Sequence, residues 1–219
     1  MNPLSLRRVT VTAGVTGALL LPIAAVQADE SPSAASSAVP IAAESQAFTV
    51  GITDDVDSLN PFTGIVSTSY EMYQLMYPTL TENGADDFAP VPGLAESWVE
   101  SPDRTTWTYT IRPGLTWSDG QPLTARDAAY SFNRIMDGDY EQTNYGSYVA
   151  NITKAEATDD TTLVLTVEKP SPIMENLAVY ILPEHIWKDI DGKEVRSYEN
   201  EPTDGQPIVG GGPYVLIQR

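Results

Sequence analysis

Cysteine is absent from all 219 residues of the sequence. Without thiols, the chain can form no disulfide, no thiolate nucleophile and no cysteine-ligated metal site. It also has no cysteine that could carry a lipid anchor. Any attachment to a membrane must therefore use other means.

Histidine is almost absent as well, since His185 is the only one. A single imidazole excludes a histidine-rich metal cage, and any Ser-His-Asp arrangement would have to use His185 itself. His185 follows Pro183 and Glu184, a context typical of a surface residue at the start of a helix. We therefore expect the protein to need no metal and no other cofactor.

Basic residues are few: 12 stand against 30 acidic ones, for a formal net charge of −18. Such a chain is a poor ligand for nucleic acid or for an anionic membrane surface. The acidity is typical of a soluble protein outside the cell. Hydrophobic residues make up 42% of the chain and charged residues 19%, which indicates a globular protein rather than a disordered one.

The amino-terminal residues 1–28 have the pattern of a secretory signal peptide. Arg7 and Arg8 precede an apolar run of small residues, and Val26-Gln27-Ala28 is a suitable cleavage site. A membrane-spanning helix is the alternative, since the run is close to spanning length, but glycine and proline interrupt it. Residues 29–45 are rich in Ser, Ala and Pro, which predicts a disordered linker.

The clearest local signals lie in the middle of the chain. Residues 105–111 place Trp107, Tyr109 and Ile111 on one face and threonines on the other, which predicts a half-buried strand. Ser118-Asp119-Gly120 predicts a tight turn. Thr124 and Asp127 have the spacing of a capping box and predict the start of a helix.

Weaker signals predict the remaining elements. They are a first strand at 47–53, a helix from 68 to about 80 with a capping box of Thr68 and Glu71, a hairpin turn at 82–84, a surface loop at 137–148, strands at 152–157 and 161–167, a short helix at 171–179 and a strand at 214–218.

Four stretches of the sequence resemble one known family. The longest runs from Leu94 to Asp127 and includes Tyr109-Thr110-Ile111-Arg112-Pro113-Gly114 and Trp117-Ser118-Asp119-Gly120-Gln121-Pro122. The other three are 57–62, 181–187 and 210–214, the last with Gly211 where the family has Thr. Together they resemble family 5 extracellular solute-binding proteins, the peptide, oligopeptide and nickel receptors of ABC importers.

The resemblance implies an α/β fold of the type II periplasmic-binding-protein-like class, in an incomplete form. The first lobe would begin with residues 46–80, and the chain would return to it with residues 181–219, where it is truncated. Between these two segments, residues 81–180 would form an inserted β-rich α+β subdomain. Family members are longer, so the chain is expected to be an amino-terminal fragment without the second lobe.

The resemblance also implies a function. The protein would be the substrate-binding component of an ABC transporter, a monomer that captures extracellular peptides and delivers them to a membrane permease. A nickel chelate or an oligosaccharide is an alternative solute. An alternative from another class is a secreted hydrolase, since Asp54-Asp55, Asp86-Asp87 and Asp159-Asp160 are paired carboxylates. Each pair has a turn or loop context, which favours a structural role.

By resemblance, the solute contacts would lie in two regions of the chain. One is the loop of Gly64, Ile65, Val66 and Ser67, and the other contains Tyr145 and Tyr148. Tyrosine supplies contact area at a small cost in conformational entropy. Three tryptophans, Trp98, Trp107 and Trp117, are expected to be structural instead.

Overall fold

A computed structural model describes residue 52, residues 54–203 and residues 205–218 of the chain. The predicted signal peptide, the predicted linker and most of the predicted first strand lie outside these residues. The elements, in chain order, are α1 (Ser67–Met76), β1 (Thr81–Asn83), β2 (Pro90–Pro92), β3 (Ala95–Glu100), β4 (Thr106–Ile111), α2 (Ala125–Asp137), α3 (Gln142–Val149), β5 (Ile152–Ala157), β6 (Thr162–Val167), a 3-10 turn (Pro172–Glu175) and α4 (Glu184–Trp187).

The larger sheet has four antiparallel strands in the order β3-β4-β6-β5. As predicted, Trp107, Tyr109 and Ile111 of β4 are all buried, because alternate residues of a strand point to the same face. Leu163 and Leu165 of β6 lie opposite Tyr109 and Trp107 and are buried with them. The two inner strands thus share a buried apolar face, and helix α2 packs against the sheet at β5 and β6. Both outer pairings contain a register shift.

Helix α2 covers this face and begins at the predicted capping box. The Thr124 hydroxyl accepts a 3.2 Å hydrogen bond from the Arg126 N–H, and the Asp127 carboxylate accepts a 2.9 Å bond from the Thr124 N–H. These bonds satisfy donors that have no partner within the helix. Phe132 and Ile135 lie on the buried side, as their helical spacing predicts.

A two-stranded hairpin of β1 and β2 precedes the larger sheet. A hairpin is present, but the predicted turn at residues 82–84 was misplaced, because Glu82 and Asn83 belong to β1 and the connecting loop spans residues 84–89. The Gly84 N–H donates a 2.8 Å bond to the Ala89 carbonyl, and this bond closes the loop. Phe88, near its end, has a left-handed φ of 58° and is 74% exposed.

The prediction for the first helix was wrong in its ends and its cap. Helix α1 runs from Ser67 to Met76 and has no side-chain cap, because its N-cap position is Val66; Thr68 lies within the helix, and its hydroxyl donates to the Asp55 carbonyl at 3.1 Å. The helix ends before Tyr77-Pro78, since a residue that precedes proline disfavours helical geometry.

Three other predictions also require correction. Residues 142–149 form a helix within the predicted loop at 137–148, and the predicted helix at 171–179 is reduced to a single 3-10 turn. The predicted strand at 214–218 is irregular. Its Tyr214 N–H donates to the Leu75 carbonyl at 3.0 Å, and its Leu216 carbonyl accepts from the Ile208 N–H at 3.1 Å. These bonds go to separate segments and form no strand ladder.

The last described segment of the chain returns to the first. The Ile181 N–H donates to the Pro78 carbonyl at 2.8 Å, and the N–H groups of Gly211 and Gly212 both donate to the Met76 carbonyl. Two segments that the resemblance assigns to one lobe are therefore in contact. The domain boundaries themselves stay a prediction.

Candidate functional site

The loop between Asn60 and α1 is one of the two regions where solute contacts are predicted. The N–H groups of Thr63 and Gly64 both donate to the Asn60 carbonyl, at 3.0 and 3.2 Å. The Asn60 side chain accepts from the Phe62 N–H at 2.9 Å. These bonds wind the chain into a compact turn. Ile65, which follows it, is 75% exposed.

Glycine is required at position 64 by the closeness of α1. A Cβ atom there would overlap the hydroxyl of Tyr73. That hydroxyl lies 2.7 Å from the Ser58 carbonyl oxygen and 2.9 Å from that of Asn60, so it cannot move without losing its partners. The backbone of the loop therefore lies directly against α1.

The second predicted region is α3, and it packs against this loop. The Asn144 side-chain amide lies 3.0 Å from the Gly64 carbonyl oxygen and 3.2 Å from that of Phe62. The Tyr145 hydroxyl donates to the Pro61 carbonyl at 3.1 Å. The two sequence regions, some 80 residues apart, thus form one continuous region of the molecule.

The six predicted residues differ in their exposure to solvent. Ile65 and Ser67 are exposed, and Val66 and Tyr148 are half-buried. Gly64 is buried, and only 3% of Tyr145 is exposed. The expectation that the region of Tyr145 is an exposed loop was therefore wrong, because this ring packs in the core and its hydroxyl holds the loop. The role of all six in solute binding stays a prediction.

Tyrosine rings pack against one another beneath this surface. Tyr73 makes edge-to-face contacts with Tyr70 and Tyr180, both at 5.7 Å between ring centres, and Tyr145 makes one with Tyr180 at 6.2 Å. Burial raises the pKa of Tyr180 to about 12, and it raises that of Tyr145 well above its usual value. The buried hydroxyls are therefore protonated at neutral pH and act as hydrogen-bond donors, not as bases.

Asp57 is the carboxylate of this surface. Its Oδ1 lies 2.5 Å from the Ser69 hydroxyl, and its Oδ2 accepts from the Ile65 N–H at 2.9 Å. Desolvation acts to raise the pKa of Asp57, but the bonds from Ser69 and from the Ile65 backbone outweigh it, so the pKa lies below its usual value. Asp57 is ionised at neutral pH.

Three residues of this surface were not among the predicted contacts: Asp57, Tyr70 and Asn144. Asp57 belongs to a stretch that resembles the family. Tertiary packing brings Asp57, Tyr70 and Asn144 into one region, and no local sequence pattern gives a signal for this.

A separate polar cleft lies between α2 and α4. It has a volume of about 370 Å³, and its lining includes Thr124, Arg126, Glu184 and His185. The His185 Nε2 atom lies 2.8 Å from the Asp119 carboxylate, beside this cleft. His185 is in the first turn of α4, where the sequence predicts it. No group of three potential metal ligands occurs among the described residues.

The paired carboxylates have the turn contexts that the sequence predicts. Asp159 accepts a 2.8 Å bond from the Thr161 N–H in the β5–β6 turn, and Asp87 accepts a 3.0 Å bond from the Ala89 N–H in the β1–β2 loop. Trp107 and Trp117 are buried, in agreement with a structural role, and Trp98 is half-buried. Across the described residues of the chain, no helix is long and apolar enough to cross a membrane.

The solved structure of an ABC transporter substrate-binding protein, CtaP from Listeria monocytogenes, is similar to this fold. The TM-score is 0.63 at 30% sequence identity, over 77% of this chain and 33% of that chain. The fold is therefore of the type II periplasmic-binding-protein-like α/β class, present in incomplete form.

The family follows from the sequence comparison. The model of "Bacterial extracellular solute-binding proteins, family 5 Middle" matches residues 89–219. The chain belongs to this family, as its resemblance predicts, and members of the family are solute-binding proteins of the bacterial exterior.

Two curated relatives show how much of this chain, and how much of each relative, is matched. The dipeptide-binding protein DppE of Bacillus subtilis is 30% identical over 74% of this chain and 31% of its own length. The periplasmic oligopeptide-binding protein OppA of Escherichia coli is 29% identical over 96% of this chain and 39% of its own length. The chain thus spans about a third of the length of these relatives.

Proposed function

We propose that this protein is the substrate-binding component of an ABC importer and that it captures peptides outside the cell and delivers them to a membrane permease. Membership of the family supports the receptor class, and the names of DppE and OppA favour peptides over other solutes. In this proposal the protein is not an enzyme, is exported by its signal peptide and acts as a monomer.

The observation that carries the proposal is the shared surface of the Gly64–Ser67 loop and α3. It combines an exposed apolar residue, Ile65, with the half-buried ring of Tyr148. An apolar surface with a few polar groups is typical of sites that hold small molecules or peptides. The chain supplies one wall of a site, and in receptors of this kind the wall closes on the solute.

Isothermal titration of the full product of the gene tests the proposal. Di-, tri- and oligopeptides are the expected ligands, and nickel–histidine and oligosaccharides are the comparison solutes. Tyr148→Ala should weaken peptide binding about tenfold, since it removes roughly 1–1.5 kcal/mol of apolar contact. Phe88→Ala removes an exposed aromatic ring from the β1–β2 loop and is the matched control, with unchanged affinity expected.

Binding of nickel–histidine or sugar without peptide binding would replace peptides with that solute. An equal loss of peptide affinity in Tyr148→Ala and Phe88→Ala would show that α3 is not part of the site. Turnover of a peptide or sugar by the purified protein would favour the hydrolase alternative.

Export is tested by mass spectrometry of the protein outside the cell. The expected amino terminus is Asp29 or a residue within a few positions, since cleavage is predicted after Ala28. An intact Met1 on cell-associated protein would indicate a membrane anchor instead.

A further inference from the structure

We infer that Asp57 and Asn144 are positioning residues, which hold the peptide group between Gly64 and Ile65 from both ends and so present the Ile65 side chain to an apolar group of the solute. This inference rests on the proposed function for its last step. The first step, the holding of the peptide group, can be tested without any solute.

The two polar ends of this one peptide group are bound by side chains from two different regions of the fold. The Ile65 N–H donates to Asp57 Oδ2 at 2.9 Å, and the Gly64 carbonyl accepts from Asn144 Nδ2 at 3.0 Å. A peptide group bound at one end can still swing about that bond. Binding at both ends restrains the peptide group and thereby the position of the Ile65 Cα atom, from which the side chain projects.

Asp57 is itself held in place. Its Oδ1 is bound by the hydroxyl of Ser69, in the first turns of α1, and its own N–H lies 3.1 Å from the same hydroxyl. Both carboxylate oxygens accept hydrogen bonds from the protein, so the Asp57 carboxylate is held in one orientation.

Asn144 is held through its helix. Its neighbour Tyr145 is buried, donates to the Pro61 carbonyl and meets the Phe62 ring edge-on at 6.0 Å. Just before α3, the almost fully buried Glu141 pairs with Arg134 of α2 at 2.6 Å. Helix α3 is thus fixed to α2 at one end and to the loop along its side.

This arrangement holds an apolar residue that is exposed in the part of the chain that the structure describes. Ile65 is 75% exposed, although Tyr145 and Phe62 nearby are buried. Fixing a contact residue before binding lowers the entropy that is lost on binding. The chemistry of Ile65 selects an apolar group, such as an aliphatic or aromatic side chain of a peptide.

The first experiment is amide hydrogen exchange on the full chain. The Ile65 N–H should be protected in the wild type. Asp57→Ala and Asn144→Ala should each reduce its protection at least tenfold, while the Tyr109 amide in the sheet stays protected. Asp57→Asn should restore protection, because its amide oxygen can accept from Ile65 while its NH₂ group donates to Ser69.

The matched control is Asn133→Ala. Asn133 also donates its side-chain amide to a main-chain carbonyl, that of Ala155 at 3.0 Å, but this bond joins α2 to β5. It should leave exchange at Ile65 unchanged. If Asn144→Ala does not fold, Asn144→Gln is used in its place, since it moves the same amide by one methylene. An unprotected Ile65 amide in the wild type, or unchanged protection in both alanine variants, would overturn the inference.

The second experiment is a double-mutant cycle on peptide affinity. Ile65→Ala should weaken binding of a peptide with apolar side chains about tenfold, and Asn144→Ala should do the same. In the Ile65→Ala background, Asn144→Ala should have no further effect, because its action goes through Ile65. Additive losses would overturn this step. Protected Ile65 with no peptide binding in the wild type would instead contradict the proposed function.

Discussion

The side-chain amide of Asn60 donates a 2.7 Å hydrogen bond to the carbonyl oxygen of Val195, 135 residues later in the chain. The same NH₂ group donates to the Tyr198 carbonyl, also at 2.7 Å. Asn60 is fully buried, and its side-chain oxygen accepts from the Phe62 N–H. One amide thus joins the loop before α1 to residues 195 and 198, which follow α4.

Asn60→Ala should therefore destabilise the fold. It leaves two carbonyl groups without their donor and removes the bond to Phe62, so the free energy of unfolding should fall by about 2–4 kcal/mol. Urea denaturation measures this. Asn176→Ala, which removes an exposed side-chain amide bonded to Asn83, is the control and should change the value by less than about 0.5 kcal/mol. Equal effects of the two would show that Asn60 has no special role.

Trp107 is expected to be one of the largest contributors to the core. It is 2% exposed and stacks on Tyr109 at 6.5 Å between ring centres. Trp107→Ala should lower the free energy of unfolding by about 3–5 kcal/mol, since a large cavity is left. Val99→Ala, at a 68% exposed position of the neighbouring strand, is the control. Unchanged thermal stability of the Trp107 variant would contradict the assignment.

The close approach of residue 212 to α1 gives a third prediction. A Cβ atom on Gly212 would lie 2.8 Å from the Met76 carbonyl carbon, and this backbone atom cannot rotate away. Gly212→Ala should therefore lower the free energy of unfolding by about 1–3 kcal/mol. Gly192→Ala meets no atom within 4 Å and should be neutral in the same thermal melts. A neutral Gly212→Ala would show that the terminal segment packs elsewhere.

The pair of Asp119 and His185 predicts a dependence on pH. Desolvation acts to raise the pKa of Asp119, but bonds from the Gln121 N–H and from His185 outweigh it, and the pKa lies below its usual 3.8. The carboxylate therefore stabilises the fold at pH values above about 4, and this contribution is lost as the pH falls through the folded-state pKa.

Asp119→Asn tests this. At pH 7 it should lower the free energy of unfolding by about 0.5–1 kcal/mol, because the pair is partly exposed. The wild type and the variant should converge as the pH falls through the folded-state pKa, where the wild-type carboxyl becomes protonated. Asp86→Asn, at an exposed position, is the control. A difference that does not change between pH 7 and pH 3 would exclude the charge as its cause.

The sequence predicts well those elements whose signals are local. Strand β4 follows from its alternation, since that pattern and the burial of Trp107 and Ile111 have the same period. Helix α2 follows from Thr124 and Asp127, whose side chains bond to the backbone within three residues.

The candidate site is less predictable because tertiary contacts decide it. Helix α3 has no side-chain cap and contains Gly146, and bonds of Asn144 and Tyr145 to a distant loop stabilise it. A tertiary contact also decides the role of Thr68: its hydroxyl donates to the Asp55 carbonyl and does not cap helix α1. The sequence indicates the two regions by family resemblance, but not which of their side chains face solvent.

The irregular outer pairings of the four-stranded sheet affect how copies of the protein meet at high concentration. In β3 the ladder shifts between Ala95 and Ser97, and in β5 between Ile152 and Lys154. The outer strand β5 also carries the exposed charges of Lys154 and Glu156. A bent, charged border is a poor template for another strand. Growth of this sheet into a fibril by edge-to-edge addition is thereby opposed at both borders.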